Sequence, residues 1–166
     1  MRVVSALPTL PGRVLSPREL KGWVTAMAGR PDRWEPLVRH DTGQRHYAQL
    51  HRDGDIDVWV LCWNLVDDTG WHDHDTSSGA VAVIRGAVAE ATPRIGGKPA
   101  TRVVRAGRAF AFGPDHIHRM SGAVDGSVTI HAYSPPLWRM GQYSISRSGV
   151  LRRRAVSYAD ELRPLD

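Results

Sequence analysis

The chain of 166 residues has one cysteine, two phenylalanines and two lysines, and it has no long hydrophobic run. A lone Cys62 cannot form an internal disulfide or a thiolate zinc cluster, so any metal site must be built from His, Asp or Glu. No stretch approaches the about 18 uninterrupted apolar residues of a spanning helix. The first residues, MRVVSALPTLPGRVL, have an apolar segment too short and too broken by prolines for a secretory signal. The expectation is a soluble, cytoplasmic protein with no membrane partner. A composition 42% hydrophobic and 23% charged excludes a mainly disordered chain, and the length suits one domain. With lysine so scarce, the net charge of +5 is carried by arginine. That charge and the run Arg152-Arg153-Arg154 admit nucleic-acid binding. The same Arg-rich, Lys-poor usage follows from GC-rich coding, and Asp160, Glu161 and Asp166 flank the run, so no nucleic-acid partner is expected. What the chain does have is histidine, eight in all.

Ser16-Pro17-Arg18-Glu19 combines a serine N-cap, proline at the first helical position and glutamate at the third, which is a capping box. A helix is predicted from Pro17 to Met27, with Leu20, Trp23, Val24 and Met27 as one apolar stripe and Gly29-Arg30-Pro31 as its stop. A second short helix is predicted over Arg33 to Val38. After Tyr47 the period changes to that of strands, predicted at Tyr47–His51, Asp57–Trp63, Ala80–Arg85, Ala87–Thr92, Arg102–Arg105, Ala109–Phe112 and Ser127–Tyr133. Glycine turns separate them, and so many short strands imply a sandwich or barrel. From Ser144 onward the chain is more polar, with Val150 and Leu151 suggesting one more strand.

Two H-x-H pairs stand about forty residues apart. In Trp71-His72-Asp73-His74, an extended backbone sends both imidazoles to one face, about 7 Å apart along the chain, close enough to converge on one metal. A turn and the apolar strand Ala80–Arg85 come next. The second block, Phe110-Ala111-Phe112-Gly113-Pro114-Asp115-His116-Ile117-His118-Arg119, is a strand, a turn and another H-x-H, of which either histidine could complete a three-imidazole face. Three ligands on one face of an octahedral Fe(II) leave adjacent positions open, and zinc suits imidazole equally well.

Together the two blocks resemble the paired motifs of the cupin superfamily, which implies an all-β jelly-roll barrel (a double-stranded β-helix) with one or two N-terminal helices. Gly79 stands where the usual motif has a fourth, glutamate ligand. Leu61-Cys62-Trp63, His72-Asp73-His74 with Glu90, His118-Arg119 and His131-Ala132-Tyr133-Ser134-Pro135-Pro136 extend the resemblance to the cysteine dioxygenase family of cupin-fold thiol dioxygenases, over roughly residues 47–136. The resemblance implies a single domain, 1–166, in which a helical segment 1–40 precedes a barrel 45–136 holding the metal site, and 137–166 form a C-terminal extension. It implies Fe(II) held by His72, His74 and His118, the last chosen over His116 because the family's third ligand is followed by arginine. It further implies a relay of Thr129, His131 and Tyr133, which alternate on one face of a strand, with Thr129 in place of a serine.

The activity implied by the resemblance is oxidation of a small thiol with O2 to its sulfinic acid, by a monomer. Its substrate lining would be Gln49, Tyr47 and Trp63. Cysteine-selective relatives carry arginine where this chain has Gln49, and a glutamine there resembles the 3-mercaptopropionate branch. The segment HDHDTSSG looks more like the cysteine branch. Gly79 also occupies the place of the cysteine that crosslinks to tyrosine in vertebrate members, so no thioether forms. Mercaptolactate or a thiol-imidazole remain open as substrates, as do another cupin metalloenzyme activity and a ligand sensor.

Overall fold

The structure, a computed structural model, describes residues 12–40, 43–160 and 162–165; the first eleven residues of the expected helical segment lie outside it. Helix α1 (Pro17–Ala28) forms as its capping box dictates: the Ser16 hydroxyl accepts from Glu19 N, and Ser16 N donates to Glu19 Oε2 at 2.8 Å. The second helix differs from expectation. It splits into a short α2 (Pro31–Trp34) and a single 3₁₀ turn (Glu35–Leu37), because Pro36 lacks the amide that would continue an α-helix.

Eleven strands complete the chain: β1 (Tyr47–Arg52), β2 (Asp57–Trp63), β3 (Trp71–Asp73), β4 (Ser78–Arg85), β5 (Ala87–Thr92), β6 (Ala100–Arg105), β7 (Ala109–Phe112), β8 (Arg119–Gly122), β9 (Ser127–Ser134), β10 (Arg139–Ile145) and β11 (Leu151–Ser157). The seven strands read from the sequence are all present, three of them with the ends predicted and four extended by a residue or two. The sequence does not reveal β3, β8 and β10. Two are only three or four residues long, and β10 reads RMGQYSI, with no alternation.

One sheet has the order β1-β2-β9-β4-β7. The opposing layer is made of two three-stranded sheets, β11-β10-β3 and β6-β5-β8, stitched together by isolated bridges at Asp68↔Ser121 and His72↔His118. This is the all-β double-stranded β-helix that the resemblance implies.

Strand β9 is buried along its whole length, a consequence of alternation between two covered faces. Val128, Ile130 and Ala132 turn outward with Val58, Val60 and Cys62 of β2, where Leu20, Trp23, Val24 and Met27 of α1 cover them. Each of those helix side chains contributes about 1.5–3 kcal/mol by leaving water. Thr129, His131 and Tyr133 turn inward to the space between the layers, beside a second core of Trp63, Val81, Phe112, Met120 and Met140. Cys62 is thus a core residue whose thiol burial pushes its pKa up, away from reactivity. No helix of the described residues is long and apolar enough to cross a membrane.

The residues after 136 are woven into the barrel. Strand β10 pairs with β3, setting Gln142 opposite His72 and Gly141 opposite Asp73. Strand β11 extends the sheet, and Arg153 from the arginine run forks onto Asp73 at 2.8 and 2.9 Å while Arg152 and Arg154 are exposed. The run is therefore no uniform basic patch.

Candidate metal centre

His72, His74 and His118 are buried to 3%, 1% and 1% exposure, and they offer three ligand nitrogens all within 4.8 Å of one another. Their convergence comes from the backbone. His72 N donates to His118 O at 2.9 Å and His118 N to His72 O at 3.0 Å, a one-residue antiparallel bridge that sets the two imidazoles side by side. His74 joins them from the same face, two residues on.

The outer nitrogens are held. His72 Nδ1 donates to the Gly70 carbonyl at 3.0 Å, and His118 Nδ1 donates to Glu90 Oε1 at 2.9 Å. Both tautomers are thereby fixed with Nε2 inward, and His118 Nε2 and His74 Nδ1 are buried with no hydrogen-bond partner among the described residues. Buried, neutral nitrogens left without partners are what a metal would satisfy, so the residues fit one. Burial first, and neighbouring imidazoles second, hold His72 and His74 far below the ordinary histidine range. Burial also lowers His118, against the pull of Glu90.

Glu90 is the carboxylate behind this centre. It accepts from His118, from His116 Nε2 at 3.0 Å and from Arg102 Nε at 2.8 Å. Burial alone pushes its pKa up; the bonds from His116 and His118 reverse that and hold it well below the usual carboxylate range. His116, half-buried and stacked on Phe112 at 4.8 Å, stands behind His118 rather than among the three converging nitrogens.

The relay residues also meet. Trp63 Nε1 donates to Thr129 Oγ1 at 2.8 Å, Thr129 Oγ1 lies 2.9 Å from His131 Nε2, and His131 Nδ1 lies 3.1 Å from Tyr133 Oη. Indole can only donate, so the Thr129 oxygen accepts from Trp63, and among the described residues its hydrogen has His131 Nε2 as acceptor. His131 then carries its proton on Nδ1 and donates it to the Tyr133 oxygen. The Tyr133 hydroxyl hydrogen is left to point elsewhere. Burial raises the Tyr133 pKa, keeping that proton in place.

A cavity opens on these groups, with Arg45, Tyr47, Trp59, Trp63, His131 and Tyr133 in its lining together with His72 and His118. Tyr47 and Trp63 stand where the sequence predicts. Gln49 does not: it is exposed, outside the cavity lining, and its amide donates to Asp57 Oδ1 at 3.1 Å. Asp57 is wholly buried, a costly position for a carboxylate without donors, and Gln49 and Arg52 supply them. The cation that does face the cavity is Arg45, 6% exposed, its guanidinium 4.9 Å over the Trp63 ring. Arg45 is absent from the residues picked out in the sequence, although its place two before Tyr47 puts both on one side of an extended chain.

Phe112 is the other residue the sequence conceals. Its ring stacks on His74 at 4.9 Å and fills the space in front of Gly79, where a Cβ would lie 2.4 Å from the ring. The position of the fourth motif ligand is therefore occupied by an aromatic wall.

A double-stranded β-helix with three imidazoles converging inside it defines a cupin with a histidine-built candidate metal centre. The model of the family described as Cysteine dioxygenase type I matches residues 17–146, and the chain belongs to that family. Solved structures share the fold. A Klebsiella pneumoniae protein of uncharacterized function with a double-stranded β-helix domain is 17% identical, at TM-score 0.53 over 61% of this chain and 80% of its own. An RmlC-like cupin from Desulfovibrio desulfuricans is 14% identical, at TM-score 0.52 over 60% and 90%. KdgF from Halomonas is 17% identical, at TM-score 0.51 over 61% and 90%. No curated protein matches the chain.

Proposed function

We propose that the protein is an iron-dependent thiol dioxygenase, oxidising a small thiol with O2 to the sulfinic acid. The observation that carries this reading is that His72 and His118 line one cavity with Tyr133, while His74 offers a third buried ligand nitrogen within 4.8 Å of theirs. The reaction balances without a reductant: sulfur gives up four electrons, O2 takes four, and both oxygen atoms end on sulfur. Iron held by His72, His74 and His118 supplies the O2 chemistry and the charge that keeps a thiol deprotonated.

The chain supplies position and polarity. Tyr133, its proton kept by burial and its oxygen held by His131, donates a hydrogen bond into the cavity. Thr129 and Trp63 keep His131 in the tautomer that leaves this donor free. Met120, Leu137 and Met140 give the cavity an apolar lining. The buried Trp59 Nε1, which has no acceptor among the described residues, offers a donor to an acidic group at the substrate's far end, and the Arg45 guanidinium, tied to Leu162 O, adds positive charge in the same lining. The molecule acts as a cytoplasmic monomer whose partners are the thiol and O2.

The test is anaerobic loading with Fe(II), then oxygen-electrode traces with cysteine, 3-mercaptopropionate, mercaptolactate and cysteamine. Thiol-dependent uptake with stoichiometric sulfinate supports the reading. No uptake from fully loaded protein overturns it.

A further inference from the structure

The family match ends at residue 146, and the chain beyond it returns to the candidate site. Past β11, the strap formed by residues 158–160 and 162–164 puts Tyr158, Asp160 and Leu162 in the cavity lining beside His72, His118 and Tyr133. The strap is tied by side chains reaching its carbonyls. Tyr47 Oη donates to Ala159 O at 3.1 Å, Arg45 Nη2 to Leu162 O at 2.9 Å, and Gln142 Nε2 to Arg163 O at 3.0 Å. Two of these anchors themselves line the cavity, and the third sits opposite His72 in the β10–β3 ladder.

Contact continues to the ligand shell. Gly70, whose carbonyl holds His72 Nδ1, is pressed so close to the strap that a Cβ on it would lie 2.7 Å from Pro164 Cα. Leu162, 7% exposed, packs in the cluster of Trp63, Met120, Leu137 and Met140.

We propose that this strap sets the length of thiol the site accepts, with Leu162 as the apolar stop. The inference rests on the dioxygenase reading. With sulfur fixed beside the imidazoles, the remainder of the substrate must fill the rest of the cavity, and Leu162 is part of its lining. Each further methylene that finds apolar room raises affinity roughly fourfold, and one that meets Leu162 finds none. Leu162→Ala opens room for about three methylenes.

The experiment uses the Fe(II)-loaded protein and ω-mercaptocarboxylates from 3-mercaptopropionate to 6-mercaptohexanoate. Anaerobic calorimetry reads affinity, and the oxygen electrode reads kcat/KM. Leu162→Ala should raise the affinity ratio of the longest to the shortest thiol by at least about tenfold. Leu162→Phe should shift it the other way. Should Leu162→Phe fail to fold, Leu162→Val, falling between wild type and Leu162→Ala, supplies the second point. An equal loss for every chain length would overturn the proposal, since it would mean that Leu162 only packs. If calorimetry shows the length profile but no thiol drives oxygen uptake, the reaction assigned above fails while the strap's role stands. Absence of binding of any thiol to the loaded wild type would overturn both.

Discussion

Imidazole binds a metal only when it is neutral, and burial enforces neutrality at this centre. His131 shows the size of the effect: burial, reinforced by His118 and Arg45, pushes its pKa down to about 3. Between that value and the about 6.5 of a free imidazole, the unfolded chain binds a proton that the folded chain refuses, so stability is lost as pH falls through this window. His72, His74 and His118 shift in the same direction. The metal-free protein should therefore lose on the order of 1.4 kcal/mol per pH unit through His131 alone between about pH 6.5 and 5, with the three ligand histidines adding in the same direction. Urea melts across that range check it, and a flat profile would refute it. Glu90 acts at the same scale through its bond to His118 Nδ1. Glu90→Gln keeps the size of the side chain and removes its charge, and should weaken metal binding by about 10–100-fold in competition with a chromogenic chelator. Unchanged affinity would mean that the carboxylate only ties β5 to its neighbours.

At the scale of the element, the site depends on how strands are covered and paired. Strand β9 presents Thr129, His131 and Tyr133 inward because α1 buries the alternate residues on the other side. Strand β3 and the residue after it hold two ligands in a segment too short to stand alone, and β10 fixes it through the ladder and through Asp73. That carboxylate accepts from Tyr143, Gly141 and Arg153. Strand β4 must carry glycine at residue 79, since Phe112 of β7 fills the space in front of it. Gly79→Ala should cost about 1–3 kcal/mol through overpacking. The double variant Gly79→Ala/Phe112→Leu should recover most of that in thermal melts. Simple additivity of the two losses would show that the ring is not what Gly79 accommodates.

At the scale of the molecule, folding and metal binding are one equilibrium, because His118 comes from a segment far in sequence from His72 and His74 and meets them only in the closed barrel. Fe(II) or Co(II) at about 100 times Kd should add about 2.7 kcal/mol to unfolding free energy. His118→Ala should abolish that increment and His116→Ala should retain it, a contrast read by calorimetric melts with and without metal. The strap belongs to this scale too, joining the last residues described to Arg45, to Tyr47 of β1 and to Gln142 of β10.

The sequence alone was enough for whatever depends on local order. A capping box defines α1 because its bonds join residues three apart, and H-x-H on extended chain puts two imidazoles on one face by period alone. Alternation likewise grouped Thr129, His131 and Tyr133. What only the tertiary structure decided comes from contacts between residues far apart in the chain. Gln49 left the cavity because buried Asp57 required its amide, and Arg45 faces it instead. Phe112 took the place of a fourth ligand, and β10 and the strap, with no periodic signal of their own, became walls of the site. Periodicity records which face a side chain takes; it does not record which distant group competes for that side chain once the barrel closes.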